Sequence, residues 1–485
     1  MQLSWRGKKI PLRNAVLTIL IIAFMFTTFS HLARHFNFKT AAYDTGIQAG
    51  VARNLAFEGS FYNEVMEIDH RQDHFAPALA LPGLLFYIWD NAAVVFIFQN
   101  ICIFLSIILA YYLARKILKN ELHALLLSFF YAVNYYLTAI NNTDFHIDTL
   151  AVPLLLILLL LSEKRQTVQN LVLIALVSLA MLLIKEDLPL TVVGLGIFVM
   201  IFRKNRRAGG VFMLLIGGIG FYLIMNHFML RPSGEDYIHI NYYKGLGDSM
   251  AEAVKNILTR PDIVIKNLVT PPEKILRLFI LLSSFMLLPI FAPIALCSAA
   301  APLFYQLVSS YDHQYRFHAH YSAPAIPFLF YASVYGFKRA KTILLKLGEN
   351  GWSKTKNSVL IIAAVMLALS AIITIGTYAK NIIRYDHELY QTFETRVKPL
   401  IKPGSRVIST GPIQPHFIGY SESGRLWKTK DLDTDHDFVV ISIRQRSLTL
   451  PDSVYRNYMS QSKKQYETCY EDSSFMVFRI SDTDE

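Results

Sequence analysis

Long apolar runs broken by short polar connections fill the first 380 or so residues of the chain. A helix that crosses a bilayer needs about 20 largely apolar residues, because the hydrocarbon core is about 30 Å thick and each residue adds about 1.5 Å. Eleven runs are candidates: 14–33, 92–113, 122–139, 149–161, 169–184, 188–202, 210–229, 277–296, 298–309, 321–337 and 358–379. Several are short by that standard, and 277–309 is read as a hairpin of two short helices around Pro293 and Ala299–Ala301. The stretch 75–89 is apolar but holds Pro77 and Pro82, which predicts a re-entrant or interfacial helix. In 43–57, Ile47, Val51 and Leu55 share one face at helical spacing, which predicts a helix lying on the membrane surface.

Beyond about residue 380 the pattern changes. The segments 406–410, 437–443 and 475–480 have strand character and are separated by the turn-rich pieces KPGS, SESG and EDSS. The expected organisation is a transmembrane domain over 1–379 and a soluble α/β domain over 380–485.

Composition agrees with a membrane body. The chain is 53% hydrophobic and only 17% charged, against roughly 25% charged in ordinary soluble domains. A soluble globular enzyme is excluded. The surplus of Lys and Arg over Asp and Glu, 47 against 36, would suggest nucleic acid if it formed a water-facing patch. Instead it falls in every second connection: Arg115, Lys116 and Lys119; Lys164 and Arg165; Arg203, Lys204, Arg206 and Arg207; then Lys338, Arg339, Lys341, Lys346, Lys354 and Lys356. Positively charged loops stay in the cytoplasm, so topology accounts for the surplus and no nucleic-acid partner is expected. The expected placement is the cytoplasmic membrane, with the N-terminus in the cytoplasm and the C-terminal domain outside. The first run follows Arg6, Lys8, Lys9 and Arg13 but has no clear small-x-small cleavage site after it, so it reads as a retained anchor. Cys102, Cys297 and Cys469 are too far apart for a zinc spacing or a disulfide framework.

The alternate connections, which then face outward, carry the candidate chemistry. Asp44 sits just beyond the first run, where a partly desolvated carboxylate can act as a general base; the alternative is a helix N-cap. The run Asp69–His74 is dense in carboxylates and imidazoles, and Asp73 and His74 are candidates to hold a phosphate or a metal; a solvated capping loop is the alternative. Its spacing matches no specific metal motif, so a divalent metal ion stays open as a cofactor. Asp144 and His146, with Asp148, lie where the third run reaches the outer face and could meet the first loop across the mouth of the bundle; headgroup contacts and an N-cap are the alternative. Lys185, Glu186 and Asp187 interrupt two apolar runs, and charges there are expensive unless they pair or line a wet cavity. They mark a polar site, or else a short surface turn. Arg316 has the donor fork suited to phosphate, and His320 belongs to the same last outer cluster, where imidazoles are more often structural.

The segments YDTGIQAGVARNL, DHFAPALALPGLLF followed by FQN and YYLARKIL, HIDTLAVPLLL, KEDLPLT and HAHYSAPAIPFLF, with KPGSRVISTGPIQPHFIGY in the tail, occur in order along nearly the whole chain. In this series the chain resembles domain-of-unknown-function family 2079, membrane proteins related to the GT-C class of glycosyltransferases. The resemblance implies an all-α polytopic GT-C-like membrane fold of about 11 transmembrane helices with a small extracytoplasmic α/β domain. It implies acidic residues in the first two outer loops, Asp44 matching the first and Asp144 the second, with His74 at the histidine before the first-loop proline. It also implies a polyprenyl-phosphate sugar as donor. Thr45 stands where GT-C enzymes often carry a second acid beside the first.

The expected function is transfer of a sugar from a polyprenyl-phosphate donor, among membrane lipids, to a glycan, lipid or protein acceptor outside the cytoplasm. Asp44 would be the general base of an inverting displacement, with Asp144 as the second catalytic acid. Asp73, His74, His146, Lys185, Glu186, Arg316 and His320 would bind the substrates. The rival readings are a polytopic transporter or lipid flippase, which would need charges deep in the spans, and a non-catalytic envelope-assembly protein.

Overall fold

Interhelical hydrogen bonds at one short motif tie the first part of the bundle together. The sequence FQN places Gln99 and Asn100 inside the helix Ala93–Leu118, both fully buried. Asn100 Oδ1 accepts from Thr27 Oγ1 at 3.0 Å and from Asn141 Nδ2 at 3.1 Å, while Gln99 Nε2 donates to the Asn141 carbonyl at 2.9 Å. Three helical segments are thereby fixed by polar contacts, which stabilise helix pairing where apolar surfaces alone give little preference over lipid.

The computed structural model describes residues 2–5, 8–231, 237–349, 353–420, 422–425, 436–444 and 452–480. Among these, four helices are long and apolar enough to cross a membrane: Ala15–Phe36, Ala93–Leu118, Lys204–Phe228 and Lys356–Ile383. A bent pair, Glu121–Ala132 and Tyr135–Asn141, would make a fifth. Shorter apolar helices, among them Ile147–Ser162, Val168–Leu182, Leu188–Phe202 and Pro293–Val308, pack with these. The expected count of eleven spans is not confirmed.

Two expected elements differ in detail. The run 122–139 is not one straight helix: it bends by 54°, because Asn134 leaves helical geometry to cap the next helix, accepting from the Tyr136 and Leu137 amides. Helix Glu273–Ser283 stops short of the expected 277–296 span. Met286 and Leu287 follow with φ of 52° and 53°, so the chain turns ahead of Pro293 rather than at it. The helix Ile47–Phe57 is covered by other segments of the chain on much of its surface. Ile47 to Ala52 are all buried, and Gly83 lets the apolar segment Pro77–Tyr87 approach so closely that a Cβ there would stand 2.4 Å from the Ala52 carbonyl oxygen. That segment has Leu81, Leu84 and Tyr87 exposed along one side, as an interfacial helix does.

The basic connections meet at one end of the bundle. Arg206 donates to the carbonyls of Lys164 and Glu163, Arg203 pairs with Glu163 at 3.1 Å, and Tyr331 and Tyr335, on the helix Ile326–Glu349, both donate to Glu163. His123 packs on Phe337 of the same helix. This is the arrangement required if 277–309 returns to the face it started from.

The C-terminal sheet has five strands: β1 (Arg406–Ser409), β2 (Glu422–Arg425), β3 (Phe438–Ser442), β4 (Glu467–Glu471) and β5 (Phe475–Arg479). Their order is β2-β1-β3-β5-β4; β1 runs parallel to β2 and β3, and β5 is antiparallel to β3 and β4. The three central strands are those expected, and alternation divides their side chains between two cores. Ile408, Val439, Ile441 and Phe478 pack on Tyr455 and Tyr458 of the helix Asp452–Gln465. Val407, Val440, Phe475 and Val477 face Phe38, Phe393 and Phe417. Phe38 comes from the loop after the first helix, so this second core joins the sheet to the membrane body. His35 stacks on His416 at 4.3 Å, and the Ala42 amide donates to the Gly411 carbonyl at 2.9 Å.

Burial, reinforced by His35 alongside, holds the His416 imidazole well below its usual range. An exposed histidine protonates near 6.5, so the undocked form takes up a proton first as pH falls. Docking is therefore fully favoured above about pH 6.5 and weakens progressively below it. The hydrogen-exchange protection factor across 411–420, taken against the intrinsic rate at each pH, should be high at about pH 8 and clearly lower at about pH 5; equal protection at both would contradict this reading of the junction.

Candidate active site

At the end of the bundle away from the basic connections, segments distant in sequence are laced together by their backbones. The Leu230 amide donates to the Arg71 carbonyl, Ala78 to Leu183, and Ser310 to Tyr242. The buried helix Ile47–Phe57 and the turn before it supply side-chain clamps: Gln48 Oε1 accepts from the Ile147 amide at 2.8 Å, and Thr45 Oγ1 from the Phe145 amide at 3.2 Å. These contacts bring five stretches, around residues 44, 73, 146, 186 and 239, and a sixth at 311–321, to one place.

Glu186 organises the centre. Its carboxylate accepts from Tyr237 Oη at 2.6 Å and from the Phe75 amide at 3.1 Å, and lies 2.8 Å from His74 Nδ1. Asp73 lies 3.0 Å from His239 Nε2 and 3.9 Å from His74 Nε2, and the two imidazoles stack at 4.6 Å. Beside this, Lys185 Nζ is 3.8 Å from Asp148 Oδ1, His146 Nδ1 faces Asp148 Oδ2, and His146 stacks on His320 at 3.7 Å. A tyrosine group completes the wall: Tyr242 stacks on Tyr311 at 4.4 Å, with His239 and His313 at its two ends.

The burial is costly and the pairing offsets it. Burial would lower His74, but Asp73 and Glu186 outweigh it and raise the imidazole to about 9. Burial would raise Asp73 and Glu186; His74 leads the interactions that hold both below the usual carboxylate range. His320 is driven far down by burial and by neighbouring His146, so it is neutral. Asp187 goes the other way. Burial, aided by the charges of Asp148 and Glu186, lifts its carboxyl to about 7 against the opposing pull of Lys185. The site thus holds fixed charges of both signs and one carboxyl poised near neutrality.

Asp73, His74, His146, Lys185, Glu186 and His320 are all brought together, as is Asp148. Asp73 does not cap a helix through its side chain, and Lys185–Asp187 is no exposed turn. Asp44 is half-buried within the turn Ala42–Gly46, where it caps no helix, and lies in electrostatic range of Tyr311 at the edge of the tyrosine group. Two residues are placed elsewhere. Asp144 pairs with Arg34 and accepts from the Ala41 amide at 2.8 Å, which fastens the end of the first helix to the loop 142–146. Arg316 is half-exposed and held by Glu273 at 3.2 Å and Asp312 at 3.4 Å, so its fork is already filled by carboxylates. His239, Tyr237, Tyr242 and Tyr311 were not anticipated. The pattern YIHINYY in the long 230–276 connection, polar and aromatic residues interleaved, was the available signal.

Asp73, His74 and His239 each offer one atom, all within 4.8 Å of one another. One carboxylate and two imidazoles suit a divalent transition metal. Glu186 behind His74, itself fixed by Tyr237, is the outer partner that a ligating histidine normally has. The residues present therefore fit such an ion.

A family model described as "Predicted membrane protein (DUF2079)" matches residues 34–475. Among curated proteins none matches. Two structures of ArnT from Cupriavidus metallidurans are similar in fold. The one bound to undecaprenyl phosphate has a TM-score of 0.54 at 11% identity, covering 97% of this chain and 98% of that one. The apo state has a TM-score of 0.52 at 12% identity, covering 97% and 99%. The oligosaccharyltransferase of Archaeoglobus fulgidus, in complex with Zn and sulfate, gives 0.46 at 11% identity over 96% of this chain and 73% of that one.

Replacing Glu186 by Ala would strand the Tyr237 hydroxyl, the Phe75 amide and a charged His74 in a buried site. The expected cost is about 3–5 kcal/mol, seen as a large drop in the thermal unfolding midpoint in detergent, while Glu186→Gln loses less. An unchanged midpoint for the Ala variant would show that Glu186 does not organise the cluster.

Proposed function

The chain belongs to the DUF2079 family of predicted membrane proteins, and from that premise we propose that it is a membrane glycosyltransferase using a polyprenyl-phosphate sugar donor. The observation that carries the reading is the convergence of Asp73, His74, Lys185, Glu186 and His239 at the non-basic end of a bundle with an ArnT-like fold. A neighbour of that fold was crystallised with undecaprenyl phosphate, and an apolar bundle ending in a mixed-charge cluster suits such an amphiphile. Its tail partitions between helices while its phosphate meets the cations.

In this reading the acceptor hydroxyl gives its proton to the Asp44 carboxylate as its oxygen attacks the anomeric carbon. The bond from that carbon to the phosphate oxygen breaks, the configuration inverts, and polyprenyl phosphate leaves with the electron pair. Lys185 stabilises the growing phosphate charge through its fixed ammonium, which costs no reorganisation during the reaction. A divalent ion held by Asp73, His74 and His239 would supply Lewis-acid neutralisation of the same charge. By the positive-inside rule this end faces out of the cytoplasm, so the acceptor is met there. A transporter would need charged groups along a path through the bundle. The concentration of paired charges at one end favours transfer instead.

The test is mass spectrometry of lipid-linked sugars and surface glycans in cells carrying the wild-type chain, a deletion, or Asp44→Asn. The deletion and the Asn variant should both accumulate the donor and lack one glycan, with the variant protein still inserted at normal level. Normal glycan in Asp44→Asn would remove the base assignment. Acceptor trapped inside the deletion strain would replace transfer by transport.

A further inference from the structure

A second cleft lies at the opposite end of the molecule, among the basic connections, and the site described above makes no use of it. It has a volume of about 600 Å³ and is lined by Arg203, Tyr335, Lys338, Arg339 and Lys346, with Ile294 and Ala295 among its apolar residues. Lys338, Thr342 and Lys346 follow at intervals of four on the helix Ile326–Glu349, so the cations share the helix face that borders the cleft. The helix approaches the opposite wall closely because Gly336 has no side chain; a Cβ there would stand 1.8 Å from the Leu288 carbonyl oxygen. Arg339 Nη1 donates to the Phe291 carbonyl at 3.3 Å across the same gap.

The charge of this cleft is unbalanced. No carboxylate lines it, and among the described residues Lys338, Arg339 and Lys346 have no carboxylate within ion-pair distance. Glu163, which neutralises Arg203 at 3.1 Å, is also bound by the hydroxyls of Tyr331 at 2.7 Å and Tyr335 at 2.9 Å. It pins the guanidinium at the rim and has little capacity left for other cations. The other half of the cleft is apolar and opens beside Ile290, Phe291 and Ile294, all exposed on the membrane-embedded body. Cations on one side and bare hydrocarbon on the other match an anionic head joined to acyl chains. Positive-inside placement puts the cleft in the cytoplasmic leaflet, where basic side chains attract anionic lipid.

We propose that this cleft binds the headgroup of an anionic diacyl phospholipid, its phosphate between Lys338, Arg339 and Lys346 and its chains along Ile290 and Ile294. Bound there, the lipid touches Arg203 at the end of the helix Leu188–Phe202, Ala292, Ile294 and Ala295, and the helix Ile326–Glu349 at once, and so ties these three segments together. The proposal is independent of the transferase reading, because it concerns the other leaflet and none of the same residues.

The experiment is native mass spectrometry of the full-length protein released from detergent micelles, titrated with phosphatidylglycerol, phosphatidylcholine or inorganic phosphate. At equal concentration, phosphatidylglycerol adducts should exceed phosphatidylcholine adducts, each basic side chain contributing about a fivefold preference. The variant Lys338→Gln/Arg339→Gln/Lys346→Gln should lose the preference, on the order of a hundredfold, whereas Lys338→Arg/Lys346→Arg should keep it. The wild-type comparison and the arginine variant do not depend on tolerance of charge removal. Equal retention of the two lipids by the wild-type chain, persistence of the preference in the glutamine variant, or displacement of phosphatidylglycerol by equimolar inorganic phosphate would overturn the proposal.

Discussion

The constraint on which the rest depends is that charge cannot stand unpaired where a helical bundle meets hydrocarbon. Lys185, Glu186 and Asp187 interrupt two apolar helices; the first two are more than nine-tenths hidden from solvent and the third is half-buried. The fold answers by carrying counter-groups to them from far along the chain: Asp148 to Lys185, His74 and Tyr237 to Glu186. Asp73 and His239 then pair alongside. A concentration of buried charge made necessary by three residues thus becomes a cluster whose groups are fixed in place by one another.

The segment after the first helix and the C-terminal sheet pack around that cluster. The helix Ile47–Phe57 packs against the apolar segment Pro77–Tyr87 and, through Arg53 beside Gly419, against the tail, and its Gln48 clamps the segment carrying His146 and Asp148. The tail reaches the membrane body through Phe38, His35 and the Ala42 to Gly411 hydrogen bond. Movement of the tail would therefore be felt at the turn that carries Asp44. At the far end, Glu163 with Arg203 and two tyrosines repeats the same solution with fewer groups. Its remaining cations, Lys338, Arg339 and Lys346, line a cleft.

Much of this was legible in the sequence because it follows from local composition. Apolar runs announce membrane helices, basic connections announce one face, and adjacent charges between two apolar runs announce a polar site; Asp73, His74, His146, Lys185, Glu186 and His320 were read that way. What escaped was decided by distant contacts. Arg316 has the right chemistry for phosphate, but Glu273, some forty residues earlier, fills its fork. Asp144 is spent on Arg34. His239 and Tyr237 lie in a long connection without periodicity, and only its return over Arg71 gives them a role. The count of eleven spans is not confirmed, and polar residues such as Asn134 break helices that hydropathy alone reads as continuous. The edge strands β2 and β4, ESGR and ETCYE, lack the apolar alternation by which central strands are recognised.

In the proposed reaction the cluster around Lys185 receives the phosphate of a polyprenyl lipid. Equilibrium titration of the full-length protein in detergent with undecaprenyl phosphate tests it. The wild-type chain and Lys185→Arg should bind saturably, and Lys185→Met should bind about tenfold more weakly or worse, the loss expected for one charge-assisted contact. If the Met variant retains its fold by thermal unfolding and still binds undecaprenyl phosphate as tightly as wild type, the claim is contradicted.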